Sequence, residues 1–357
     1  MAGLTPLERS TLFLIAVLTA LAGIANYQTW SAVPRFVIAT AALAGLAWVV
    51  SFATEQLGMR FGPAITGFLQ STLGNLPELF VVIFALQEGE LVVAQTAVVG
   101  SILANALLVL GLVIVVGARR APDGVMRFSP RLPSDTATLL LVTVFIIVLL
   151  GVSLAAHDPA SHHVKSISIV GAICLLVVYL TWVVPYLRSD RSPSAGDPDA
   201  FAERPRLGVG LTLALLLIAG AASAFVSSWF VEALAPAISQ LNLSQAFAGL
   251  VIVAIAGNAV EHAAGLVLAA KGRSELAISV VKNSVAQIAA FLFPLLVLIS
   301  FALATTLTFA LAPVYIAALA LAALSVWQVT GDGEAVAFEG LALVALYVVL
   351  ATFTLYE

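Results

Sequence analysis

The chain has 357 residues, of which 62% are hydrophobic and 10% charged, with a mean hydropathy of +1.11 and a formal net charge of −4. Soluble domains carry about 25% charged residues, so the composition excludes a soluble globular protein and defines a polytopic membrane protein. The thin charge leaves no nucleic-acid footprint, and a lone cysteine excludes a disulfide framework or a cysteine metal site; Cys174 reads as a small apolar packing residue.

The first apolar run, Leu12 to Ile24, follows Glu8 and Arg9. That mixed flank is a poor signal-peptide start, so the run reads as a retained helix. A spanning helix needs about 20 mostly apolar residues. Eleven runs qualify: 10–26, 34–54, 62–86, 91–117, 133–154, 166–187, 207–231, 244–271, 275–301, 303–327 and 335–356. Several exceed 24 residues, which predicts tilted or broken helices. With the N-terminus inside, twelve cations fall in inside segments: Arg9, Arg60, Arg119, Arg120, Arg127, Arg131, Arg188, Arg191, Arg204, Arg206, Lys271 and Arg273. Only Arg35 and Lys165 fall outside, so the positive-inside rule places the N-terminus in the cytoplasm and the C-terminus outside. The stretch 188–206, rich in Pro, Ser and Asp, reads as a flexible cytoplasmic linker.

An internal repeat sets the architecture. Gly74-Asn75-x-x-Glu78 recurs as Gly257-Asn258-x-x-Glu261, 183 residues on, and Ser101 recurs at the same offset as Ser284. Two polar clusters at one offset mark a duplication. The fold class is therefore an all-α polytopic membrane protein of about 11 transmembrane helices: an extra helix (1–30), a five-helix repeat (31–187), the linker (188–206) and a second five-helix repeat (207–357). Five is odd, so the second copy enters the membrane from the opposite side. Inverted repeats of this kind carry their site near the bilayer midplane.

On a helix, residues three or four apart share a face. Asn75 with Glu78, Asn258 with Glu261, Ser101 with Asn105 and Ser284 with Gln287 are four such pairs, expected to converge if the repeats pack together. Pro77 lacks an N–H, Leu76 before it is pushed from helical geometry, and Gly74 adds freedom; this predicts a local break that turns a carbonyl toward a cavity. The second copy has Val260 in place of Pro77, so its break rests on Gly257.

An acidic residue at mid-membrane costs about 2.5–3.5 kcal/mol on insertion scales. A hard divalent cation pairs two carboxylates, and Ca²⁺ takes six to eight oxygens from carboxylates, amides, carbonyls and water. The cluster offers oxygen and no Cys or Met, which points to a hard cation rather than Zn²⁺ or Cu⁺. Two carboxylates with Ca²⁺ are neutral, as are two protonated carboxyls without it. Either state tolerates low dielectric, whereas two bare carboxylates do not. Exchange of Ca²⁺ for protons follows, with the coupled pair titrating together.

These residues resemble the calcium/cation antiporter superfamily, most closely its cation/proton exchanger branch. The resemblance rests on "GNLPELFVVIFALQEG" and "GSILANALLVLG" in the first half, with "VAIAGNAVEHAAGLVLAAK" and "NSVAQIAAFLFP" in the second. It implies that Glu78 and Glu261 alternately carry Ca²⁺ and protons, with Asn75, Asn258, Ser101, Ser284 and Gln287 close around the ion. Two departures stand out: Asn283, preceded by Lys282, replaces the family's usual glycine before Ser284, and Pro77 is closer to the sodium/calcium exchanger branch. The Glu261-His262 pair, and the lack of a third acidic residue near Asn105 or Ile288, favour the proton branch. The acidic cytoplasmic stretch of eukaryotic relatives is absent.

The remaining polar residues read more plainly. Lys282 pairs within the bundle or, alternatively, gates the ion; His262 packs behind the site or relays protons. His157, His162 and His163 read as solvated loop residues, with a weak surface metal site as the alternative, and Glu88 and Glu90 mark solvent at the outer end of the third helix, with cation attraction near the mouth as the alternative. The chain has neither H-E-x-x-H nor G-x-S-x-G, so an intramembrane enzyme is not expected, and midplane carboxylates suit alternating access better than a channel. The function read from the sequence is Ca²⁺/H⁺ antiport without a resident cofactor, with a Na⁺- or K⁺-coupled exchanger as the alternative. Mn²⁺ and Na⁺ are further candidate cargoes. The partners are Ca²⁺, protons and the lipid bilayer, and the setting is a prokaryotic plasma membrane.

Overall fold

The first helix, α1 (Pro6–Tyr27), starts where the sequence writes a cap. Thr5 accepts the Glu8 N–H at 3.2 Å, and the Glu8 carboxylate accepts the Thr5 N–H at 2.7 Å. Pro6 occupies the first helical position, where no N–H is needed. The computed structural model describes residues 4–58, 60, 73–189 and 205–357. The remaining helices are α2 (Ala32–Gly58), α3 (Leu76–Gln87), α4 (Leu91–Arg120), α5 (Arg131–Ala156), α6 (Val164–Ser189), α7 (Val209–Leu241), α8 (Gln245–Gly257), α9 (Ala259–Ala270), α10 (Ser274–Ser300), α11 (Pro313–Thr330) and α12 (Ala337–Leu355). Among the described residues, nine helices are long and apolar enough to span a membrane. Counted as one broken span, the pair α8–α9, bent by 60°, makes a tenth. The eleventh expected run, 62–86, is seen only as the apolar helix α3 and the turn before it; residues 62–72 lie outside the described residues, as do 190–204 of the linker.

Three helices carry a π-helical segment: Ala104–Val109 in α4, Ala248–Val253 in α8 and Ile288–Leu292 in α10. Such segments interrupt the α ladder and cluster at functional sites. The first and third begin just after Ser101 and Ser284, so the repeat extends to backbone geometry.

The structure corrects the sequence reading in three places. The run expected at 303–327 becomes helical only at Pro313. Before it, the Ser300 hydroxyl accepts the Leu307 N–H at 2.9 Å and takes over backbone bonding from the ended helix. Two short strands were not anticipated: β1 (Val125–Arg127) pairs antiparallel with β2 (Glu334–Val336), in register Met126↔Ala335. They are too short to carry an alternating pattern. Cys174 is exposed on α6 rather than packed inside, as a thiol on a lipid-facing helix surface can be.

By packing, the chain forms two compact units, each drawing on both repeats. Unit 1 holds Met1–Phe84, Leu180–Leu243 and Ala256–Val260; unit 2 holds Ala85–Tyr179, Ser244–Ile255 and Glu261–Glu357. Within unit 1, α2 runs along α7, with Phe36 against Phe230 at 5.1 Å between ring centroids. At one end of this unit, Arg206 pairs with Glu8 at 2.9 Å, and Arg60 donates to the Leu207 carbonyl at 2.7 Å. At the other end, Asn26 donates to Glu232 at 3.2 Å, and Arg35 lies 3.7 Å from the same carboxylate.

Unit 2 is organised the same way. The β1–β2 ribbon, with Ser129 donating to Glu275 at 2.6 Å, joins the loops after α4, α9 and α11. Gln245 donates to Glu90 at 2.7 Å, and Gln95 to the Ala310 carbonyl at 3.1 Å, joining loops of the opposite end. In both units, the loops that meet are those an alternating eleven-span path puts on one side.

Unit 2 is tied at its centre by a close crossing of α4 and α8. A Cβ on Gly100 would lie 2.4 Å from the Leu250 carbonyl oxygen, and one on Gly249 would lie 2.0 Å from the Thr96 hydroxyl. Backbone cannot yield as a flexible side chain does, so overpacking here is costly. Gly100→Leu is expected to abolish the folded state, read as loss of a monodisperse detergent peak and of a cooperative thermal melt. A wild-type melt would show that the crossing is looser than drawn.

Candidate ion-binding site

Unit 1 contains the first group of expected site residues. Asn75 is the single non-helical residue between a helical turn at Leu73–Gly74 and α3. Pro77 falls in the first turn of α3, where its missing N–H costs nothing. The Leu79 N–H donates to the Asn75 carbonyl at 2.9 Å, closing that turn. Glu78 stands in the same first turn with 0% exposure. The positive end of a helix dipole favours a carboxylate there.

Asn258 repeats the arrangement, as the non-helical residue between α8 and α9. It is buried, and its Nδ2 reaches Glu78 Oε2 at 3.5 Å. Gly257 lets the two segments approach: a Cβ there would meet the Glu78 Cβ at 3.6 Å. The shared helix face expected for Asn75 with Glu78, and for Asn258 with Glu261, is thus replaced by a break at each asparagine. The glycine before each one and, in the first copy, the proline after it favour the chain leaving the helix there.

Unit 2 holds the second group. Glu261 lies in the first turn of α9 with 7% exposure, and neither its carboxylate oxygens nor the buried Ser284 hydroxyl of α10 has a hydrogen-bond partner among the described residues. Asn105 is fully buried at the π segment of α4. Its Nδ2 donates to the Ser101 carbonyl at 3.0 Å, and its Oδ1 has no partner among the described residues. Gln287, also buried, directly precedes the α10 π segment.

Tyr179 was not singled out from the sequence, although a signal exists. A tyrosine deep in an apolar span, away from the interfacial belt, needs a partner for its hydroxyl. The ring rests 5.4 Å from that of Phe291, one turn beyond Gln287. Ser227 of α7 was also missed; its hydroxyl donates to the Pro77 carbonyl at 3.4 Å.

Lys282 does not join these oxygens. It is 1% exposed, and its ammonium donates to the Thr330 hydroxyl of α11 at 3.0 Å. Two positions before Ser284, it lies on another side of the helix. His262 and Asn283 carry buried polar atoms, His262 Nε2 and Asn283 Oδ1, without partners among the described residues. No group of three or more His, Cys, Asp or Glu side chains able to hold a metal occurs among the described residues. Each repeat instead places one buried glutamate in a helix first turn.

Residues 9–186 and 209–356 match the family described as sodium/calcium exchanger protein, and the chain belongs to that family. A vacuolar calcium ion transporter of Schizosaccharomyces pombe is 32% identical over 95% of this chain and 84% of its own length. A Ca²⁺/H⁺ antiporter of Synechocystis is 30% identical over 96% of each chain. Among solved structures, native YfkE superposes with a TM-score of 0.81 at 27% identity, covering 97% of this chain and 100% of its own. The H⁺/Ca²⁺ exchanger CAX shares the fold, with a TM-score of 0.78 at 17% identity over 98% of this chain and 89% of its own.

Because the Thr330 hydroxyl also donates to the Val326 carbonyl at 2.7 Å, removing the ammonium leaves no orphan there. Replacing a buried ion by an apolar group of similar size is often neutral or stabilising. Lys282→Met is therefore expected to keep cation exchange and to raise or hold the melting temperature; loss of exchange in a well-folded variant would return Lys282 to the ion path.

Proposed function

We propose that this chain exchanges Ca²⁺ for H⁺ across a membrane by alternating access, with Glu78 and Glu261 as the alternating carriers of Ca²⁺ and protons. The observation that carries this reading is the duplicated break, each placing a buried glutamate in a helix first turn after a buried asparagine. The function assigned to the relatives from S. pombe and Synechocystis, which align over nearly the whole chain, supports it.

In this reading the ion is bound by oxygens of the residues named in the repeat. Glu78 and Glu261 supply the charge; Asn75, Asn258, Ser101, Asn105, Ser284 and Gln287 supply neutral oxygens. Gly74, Pro77 and Gly257 shape the breaks, and His262 and Asn283 stand behind them. With Ca²⁺ bound the site is neutral, and with both carboxyls protonated it is neutral again. Only these two forms cross between access states at low cost, since a bare carboxylate pair resists desolvation. That restriction couples the two ions: an empty, unprotonated site stays on its side and does not leak.

The cation bias of the loops sets the N-terminus in the cytoplasm and the C-terminus outside. In a prokaryotic plasma membrane the proton gradient points inward, so the chain exports Ca²⁺. The second reading, coupling to Na⁺ or K⁺, is favoured by one observation, Pro77 in the first break.

Proteoliposomes with an imposed pH gradient are expected to take up ⁴⁵Ca²⁺ without Na⁺ or K⁺, and Glu78→Gln and Glu261→Gln each to abolish uptake. Uptake that needs a Na⁺ or K⁺ gradient would move the chain to the second reading, and full activity in both variants would remove the carboxylates from the mechanism. Because protons compete for the same oxygens, the KM for Ca²⁺ should fall as pH rises. Asn258→Ala removes a neutral partner of a charged group, worth about 1.5–3 kcal/mol, so its KM should rise by about ten- to a hundred-fold.

A further inference from the structure

One face of α7 carries more polarity than a lipid-embedded helix needs. Gly220, Ser223 and Ser227 recur at spacings of three and four and share that face. Both ends of the face touch the turn that carries Glu78. A Cβ on Gly220 would lie 3.9 Å from Leu76 Cδ1, and the Ser227 hydroxyl lies 3.4 Å from the Pro77 carbonyl. Ser223 sits between these contacts. It is fully buried, and its hydroxyl has no hydrogen-bond partner among the described residues, its own helix's carbonyls included. A helical serine normally bonds back to the carbonyl four residues before it, and a buried hydroxyl left without any partner is costly.

We infer that Ser223 belongs to the Glu78 half of the site: its hydroxyl faces the path by which Ca²⁺ reaches Glu78 and replaces one water of the ion's shell. This rests on the proposed role of Glu78. Ca²⁺ accepts six to eight oxygens and tolerates irregular geometry, so a hydroxyl on a neighbouring helix can serve. The serine has no counterpart in the motifs of the repeat; residue 40, at the same offset in the first copy, is Thr40, whose hydroxyl is already engaged by the Phe36 carbonyl at 2.7 Å. The oxygen is therefore supplied on one side only.

The chain's single native cysteine makes the test direct. In a Cys174→Ala background, Ser223→Cys is exposed, in transporting proteoliposomes, to a small hydrophilic methanethiosulfonate. Leu217→Cys, 75% exposed on the same helix and facing lipid, serves as the control. The Ser223→Cys thiol is expected to react and Leu217→Cys to remain unmodified. Ca²⁺ should slow the reaction several-fold, and adding Glu78→Gln should remove that protection. In parallel, Ser223→Ala should raise the KM for Ca²⁺ several-fold with kcat retained, and Ser223→Thr should restore it. A thiol that does not react, or reacts equally with and without Ca²⁺, overturns the inference, as does a wild-type KM in Ser223→Ala. If Glu78→Gln alone transports normally, the reading of the site fails instead, and the two failures are told apart.

Discussion

Everything in this structure answers to the cost of holding carboxylate charge away from water. Two glutamates are buried in a protein that is 62% hydrophobic. Weak, fixed sources ease their burial: a helix N-terminus for each and, for Glu78, an asparagine amide. Such partners ease the burden of one negative charge without cancelling it. In the proposed exchange, partners that do not cancel the charge leave each glutamate receptive to a cation or a proton.

The backbone follows from the same requirement. A helix running unbroken past Asn75 would tie up its amides in the α ladder. The interruptions at Asn75 and Asn258 start a new helix beside each glutamate, and the π segments beside Ser101 and Ser284 loosen the neighbouring ladders. Lys282 shows the contrasting solution, in which a buried charge is turned aside to Thr330.

Much of this was legible in the sequence. Spans follow from length and hydropathy, and among the described residues nine, or ten with the bent α8–α9 pair counted as one, overlap the apolar runs. The Gly-Asn-x-x-Glu repeat marked the residues that now stand at the breaks, because glycine and proline act locally. Contacts between distant segments left weaker traces. Ser223 and Tyr179 look ordinary in an apolar run; what sets them apart is the partner each hydroxyl meets or lacks, which depends on packing. The β1–β2 ribbon pairs segments about two hundred residues apart, and three-residue strands carry no readable period. Cys174 was misread because in a membrane an apolar residue is as much at home facing lipid as facing the core.

The crossing of α4 and α8 has a consequence for how such a chain arises. The two helices belong to opposite halves of the duplicated sequence, yet they meet backbone against backbone at Gly100 and next to Gly249. Position 283, which matches Gly100 in the second copy, is an asparagine. The two copies therefore no longer offer interchangeable surfaces: one kept the small residue needed for close approach and the other traded it for an amide. A gene cut at the linker would yield two fragments, each carrying one side of this joint and neither able to substitute for the other. Duplication supplied two like parts; divergence at one crossing made them a matched pair that works only in one order.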